Sequence, residues 1–147
     1  MLSIDSNLLL YTLNSASPWH EAAHAWMSSI QGAEDVAISE LILAEFYGLL
    51  RNPAVLQNPL SAGEAVQVIQ AYRSHPRWRL IGFSSESRAL HDALWRKASA
   101  SAFAFRRLYD TRSALTMIAQ GVTELATANV RDFDGLGLRR VWNPIAA

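Results

Sequence analysis

Short apolar runs of strand length alternate with amphipathic helical stretches along this chain, and no hairpin signal joins one run to the next. Leu2–Ile4, Val36–Ile38, Arg79–Ile81, Glu124–Thr127 and Leu138–Val141 read as strands. Between them, Trp19, Ala22, Ala23, Trp26 and Ile30 recur at helical spacing, predicting a helix over Pro18–Ile30. Ser39 is a natural N-cap for a helix running to about Arg51. Ser61 and Glu64 have capping-box spacing at the head of a helix over 61–73. Further helices are expected over 86–98 and over Asp110–Gln120, the latter stopped by Gly121. Strands separated by helices pair in parallel, so the expected class is α/β around a central parallel sheet. With 147 residues the chain reads as one domain, 1–147, with one core.

Composition narrows the function classes. Half the residues are hydrophobic and 18% are charged, which excludes a disordered or fibrous chain. Cysteine is absent, so disulfide stapling and Cys-zinc sites are excluded and a reducing compartment is allowed. No apolar run reaches membrane-spanning length, and the opening MLSIDSNLLLYTLN lacks the basic head of a signal peptide. A cytoplasmic protein with no membrane partner is the expectation. The formal net charge is zero, but it is unevenly spread. Residues 1–75 hold two basic against seven acidic residues, and residues 76–147 hold eleven basic against six acidic. Arginine dominates the basic half, as on a phosphate-binding face, although two oppositely charged halves folding together would give the same pattern.

Four acids stand where surface patterning does not place them. Asp5 follows the first strand directly, the position at which open parallel sheets present ligands, with Asn7 two residues on to hold it. On a helical wheel Glu45 falls among Leu41, Ile42, Phe46 and Leu49, so its carboxylate is expected inside the apolar stripe. Asp110 shares a face with Ala114, Met117 and Ile118, while Arg112, Thr116 and Gln120 are expected to point away. After the fourth strand, Asn129 and Asp132 can both reach the sheet edge where Asp5 lies; Asp134 is a weaker competitor, since Asp-Gly there reads as a turn. Several carboxylates in one cleft cannot all ionise without a compensating cation. Oxygen-only ligation suits Mg²⁺ or Mn²⁺, and metals so held serve phosphoryl transfer. The residues therefore point to a metal-dependent nuclease or phosphatase.

At this point the chain resembles a PIN-domain ribonuclease, specifically the VapC-type toxins of bacterial toxin–antitoxin pairs. The resemblance rests on Ile4-Asp5-Ser6-Asn7-Leu8-Leu9, Ala44-Glu45-Phe46, Tyr109-Asp110-Thr111, and Thr127-Ala128-Asn129 with Arg131-Asp132-Phe133. Gly135-Leu136, Asn143-Pro144 and the stretch from Arg51-Asn52-Pro53 to Pro59-Leu60-Ser61 extend it over nearly the whole chain. It implies a PIN domain: a Rossmann-like three-layer sandwich whose central parallel sheet is flanked by helices. It implies Mg²⁺, or Mn²⁺, on Asp5, Glu45 and Asp110, and water attacking an RNA phosphodiester, with tRNA or rRNA as substrate. It also implies a homodimer and a cognate VapB-type antitoxin whose C-terminal segment occupies the cleft. Thr127, Asn7 and Asn129 are supporting residues. The family often has an acid where Asn129 stands, so the fourth acid is either Asp132 or missing. It often has alanine at Thr111, a change expected to touch only the surface. Arg106, Arg107, Arg112 and Arg131 are the candidates for RNA backbone contacts.

Two further readings compete. His20-Glu21-Ala22-Ala23-His24 matches the H-E-x-x-H pattern of zinc hydrolases, with Glu40 or Glu45 as a possible third ligand. A PIN-like binding module with vestigial acids would keep the same residues without catalysis. A haloacid-dehalogenase-type phosphatase needs an aspartate where Asn7 stands, and a receiver domain needs a lysine after a late strand, whereas Lys97 lies in a helix; both fit poorly.

Overall fold

A computed structural model describes residues 1–146. Five strands, β1 (Leu2–Ile4), β2 (Val36–Ser39), β3 (Arg79–Ile81), β4 (Glu124–Ala126) and β5 (Arg140–Trp142), form one sheet in the order β3-β2-β1-β4-β5. Every pairing is parallel; Ser3 sits opposite Ala37 on one side and Leu125 on the other. The chain builds outward from β1 to β3, then returns across the sheet to lay β4 on the other side of β1. The strand order therefore reverses between β1 and β4, and a crevice opens at their carboxyl ends.

Six helices cover the sheet: α1 (Ser6–Leu13), α2 (His20–Ser29), α3 (Glu40–Leu50), α4 (Ala62–Arg73), α5 (Ser87–Ala98) and α6 (Leu108–Ala119). α1 packs on α2 and α3, and α3 on α4; α5 packs on α6. Right-handed crossovers put the helices of the outward path on one face and those of the return on the other, which makes the three layers. Ile4, Leu8, Leu9, Ile38, Phe46, Met117 and Phe133 are fully enclosed between them. The Ser39 cap on α3 and the Ser61–Glu64 capping box on α4 form as their spacing predicts. Gly121 ends α6 with φ +98°, a conformation that favours glycine.

The structure departs from the sequence reading in several places. The Leu8-Leu9-Leu10 run, to which the sequence reading assigns no element, is a helix, α1, started by Asp5; three consecutive buried leucines show no period because α1 is covered by both α2 and α3. The last strand lies at Arg140–Trp142, two residues later than Leu138–Val141. Finally, α6 has no outward face of the expected kind, because α5 covers it. Thr116 is buried, its hydroxyl donating to the Arg112 carbonyl at 2.7 Å, and Gln120 Nε2 donates to the Gly82 carbonyl at 2.6 Å.

Thr111 is likewise fully buried rather than on the surface, and its hydroxyl has no hydrogen-bond partner. An unpaired buried hydroxyl costs about 1–3 kcal/mol, so Thr111→Val, which keeps the shape, should stabilise the protein by about 1 kcal/mol. Thermal unfolding should show a rise of roughly 3 °C.

Candidate active site

Asp5 ends β1 and caps α1, which fixes its carboxylate at the point where the strand order reverses. Only 4% of it is exposed. Oδ1 accepts from the Ser6 backbone N–H at 2.8 Å, and Oδ2 accepts from the Thr127 hydroxyl at 2.7 Å. Thr127 follows β4 directly and is itself fully buried; its oxygen accepts from the Asn129 N–H at 3.0 Å. Asn7 closes the network, its Oδ1 accepting from the Ala128 N–H at 3.2 Å and its Nδ2 lying 3.4 Å from both Asp5 Oδ2 and Thr127 Oγ1. The two central strands are thus joined beyond their ends by side chains that also orient one carboxylate.

Ser6 carries the link to the next acid. Its hydroxyl donates to Glu45 Oε1 at 2.8 Å while its backbone N–H holds Asp5. The sequence reading gave Ser6 no role; its only signal was its place in the Asp5-Ser6-Asn7 run. Glu45 itself is not inside the apolar stripe. Ile42, Leu43, Phe46 and Leu50 form the buried face of α3, and Glu45 stands beside it, open to the cleft. The wheel missed this because Leu43, which it did not count, is buried.

Asp110 enters from the first turn of α6, where the helix dipole favours a negative charge. Asp132 enters from a 3₁₀ turn, Val130–Phe133, placed by the buried Phe133 and by Arg107, whose guanidinium donates to the Asp132 carbonyl at 2.8 Å. Three of the acids, Asp5, Glu45 and Asp110, have raised pKa values, first through burial and then through neighbouring acids. Burial raises the pKa of Asp110 to about 6, with Glu45, Asp5 and Asp132 adding to the rise and Arg107 opposing it. Burial also raises Asp5, against the hydrogen bonds from Thr127 and Ser6, with Asp132 adding to it. Glu45 is raised by the protein around its carboxyl and then by Asp5. Asn129 is exposed and contributes its backbone N–H to Thr127, while the Asp132 carboxylate lies close enough to Asp5 and Asp110 to add to the rise of both. Asp134 is exposed after the turn, and no hydrogen bond or ion pair of its carboxylate joins it to the group.

A cleft of about 1020 Å³ runs from Glu45 and Asp110 between α3, α4 and α6. Arg106 and Arg112 line it; Arg106 also approaches Asp132 Oδ1 at 3.7 Å. Arg107 is half-buried and occupied internally, and Arg131 is exposed but does not line the cleft. The two charged halves do not neutralise each other pairwise. Among the described residues only Arg77–Glu34 bridges them; at the cleft Arg106 faces Asp132, and Arg112 makes no ion pair among the described residues.

The donors are hard oxygens from four carboxylates and neighbouring hydroxyls, and the raised pKa values of Asp5, Glu45 and Asp110 mark carboxylates drawn out of water beside other acids. That set fits Mg²⁺ or Mn²⁺ chemically. Among the described residues no three His, Cys, Asp or Glu side chains are drawn together into a ready-made cage. The same holds for the His20-Glu21-His24 helix, but there the other observations also run against a site. His20 Nδ1 lies 2.9 Å from the Tyr11 carbonyl, Glu21 is exposed, and Glu40 makes two hydrogen bonds to Arg73, at 2.9 and 3.0 Å. Glu45 is held at Ser6.

The PIN domain family matches residues 2–137. The chain belongs to the PIN-domain family. This PIN domain is 44% identical over 147 residues to Ribonuclease VapC24 of Mycobacterium tuberculosis, covering 100% of this chain and 99% of that one. In fold it is similar to the crystal structure of VapC20 of Mycobacterium tuberculosis, a sarcin-ricin loop cleaving toxin, with a TM-score of 0.64, 18% identity, and 92% and 91% of the two chains covered. It is also similar to VapBC2 from Rickettsia felis bound to a DNA fragment from their promoter, with a TM-score of 0.58, 18% identity and 97% of each chain covered. The expected family and the three-layer architecture are both borne out. Among the described residues, no helix is long and apolar enough to cross a membrane.

Proposed function

We propose that this PIN domain is a divalent-metal-dependent endoribonuclease, the toxin of a VapC-type pair, acting on tRNA or rRNA and restrained by a VapB-type antitoxin. The observation that carries the reading is the placement of Asp5 at the strand-order reversal, with Glu45 joined to it through Ser6 and Asp132 close enough to add to the rise of Asp5 and Asp110, beside a cleft lined by Arg106 and Arg112. Full-length likeness to a named ribonuclease supports the substrate class, and likeness to a toxin–antitoxin complex supports the partner. Asp5, Glu45, Asp110 and Asp132 would hold Mg²⁺ or Mn²⁺. When bound, such an ion neutralises phosphate charge and lowers the pKa of a bound water. Thr127, Ser6 and Asn7 keep Asp5 and Glu45 in fixed orientation. Arg106 and Arg112 offer guanidinium groups for the phosphates on either side of the cut. A homodimer and a cytoplasmic location complete the reading.

The test is cleavage of total RNA by purified protein. The expected result is cleavage with Mg²⁺ or Mn²⁺, its loss on chelation with EDTA, and its return when the ion is restored. Cleavage that persists in EDTA would overturn metal dependence. No cleavage with either ion would favour the binding module.

A further inference from the structure

Aromatic and arginine side chains interleave along the segment that leads to the third acid: Phe103, Phe105, Arg106, Arg107, Tyr109, Asp110, Arg112. Most of the protein's large apolar side chains are covered, yet Tyr109 is 68% exposed and Phe83, at the end of β3, is 89% exposed. Both line the cleft that holds Glu45 and Asp110, and so do Arg106 and Arg112. The Arg112 guanidinium lies over the Tyr109 ring, 5.2 Å from its centroid, and leaves the ring largely open.

Flat π-faces beside guanidinium groups are the chemistry that receives an unpaired nucleobase and its flanking phosphates. A base within a duplex is stacked on its neighbours and cannot lie on such a face. A protein segment could also cover the rings. The arginines and the phosphodiester chemistry of the adjoining acids favour a nucleic acid.

We propose that Tyr109 and Phe83 form a stacking platform for an unpaired base next to the scissile phosphate, with Arg106 and Arg112 on the adjoining phosphates. These residues make the enzyme selective for single-stranded segments. The proposal rests on the ribonuclease reading and adds the substrate contact to it.

The experiment compares wild type, Tyr109→Leu, Phe83→Leu and Tyr109→Phe, as full chains. The probes are a short single-stranded oligoadenylate and an RNA duplex of equal length, with binding read by anisotropy in Ca²⁺ and cleavage by KM and kcat in Mg²⁺ or Mn²⁺. Each leucine variant should bind oligoadenylate about tenfold more weakly, the loss falling on KM rather than kcat, while Tyr109→Phe behaves as wild type. Duplex binding should be unchanged. Leucine variants that bind and cut like wild type would overturn the platform and leave the ribonuclease reading intact. Equal losses on duplex would overturn it too, as would a change confined to the oligomeric state in sedimentation, which would give the rings to another protein chain. A wild type that neither binds nor cuts RNA would bring down the ribonuclease reading itself.

Discussion

Asp110→Asn should abolish RNA cleavage, lowering the rate on the order of 10³-fold, while making the metal-free protein more stable at neutral pH. The two effects come from one cause. Asp110 is pushed up to about 6 by burial and by the charges of Glu45, Asp5 and Asp132, so the fold prefers it protonated. A carboxyl with a raised folded pKa contributes stability that is fully present below its ordinary pKa of 3.8 and is lost as pH rises through about 6. At pH 7 the metal-free protein therefore carries a partly buried charge beside other acids, a cost that asparagine removes. Thermal unfolding in EDTA should show Asp110→Asn melting a few degrees above wild type at pH 7, with the difference shrinking towards pH 4. A variant destabilised at pH 7 would mean that Asp110 is held by partners rather than strained by its neighbours.

The second large effect belongs to a residue without charge. Thr127→Val should lower cleavage roughly 10–100-fold, the range for partners that orient a ligand. The hydroxyl lost here donates to Asp5 Oδ2 at 2.7 Å and accepts from the Asn129 N–H at 3.0 Å. Valine removes the short hydrogen bond at Oδ2, leaving Asp5 held by the Ser6 N–H and Asn7, and takes away the partner of the Asn129 N–H, so stability should fall by about 1 kcal/mol as well. Thr127→Ser, which keeps the hydroxyl, should recover most of the activity. A purely structural role for Thr127 would show as a lowered melting temperature with an unchanged cleavage rate per folded molecule.

Asp5 and Asp110 were legible in the sequence because each breaks a strong local pattern. Asp5 terminates a strand and Asp110 heads an amphipathic helix, positions that parallel α/β topology turns into neighbours. Glu45 was found through the same logic but placed wrongly. A wheel assumes one buried face, and in α3 Leu43 extends that face while Glu45 stands at its margin. Residues buried by a second layer of helices escape periodicity altogether. The triple leucine of α1 and the inward Thr111 and Thr116 of α6 are instances. Ser6, which links Asp5 to Glu45 by reaching 39 positions along the chain, is visible only in the folded chain. The cleft aromatics give no period to read, since Phe83 and Tyr109 come to line one cleft only through tertiary structure and are not covered by it.

The proposed holding of a divalent ion by these carboxylates is tested most directly by titrating Mn²⁺ into the metal-free protein at pH 7 and following the free ion by electron paramagnetic resonance. Wild type should take up Mn²⁺, and Asp5→Asn and Asp110→Asn should each lose most of that uptake while remaining folded. Uptake that is the same in all three proteins, or absent in wild type at millimolar Mn²⁺, would contradict the account.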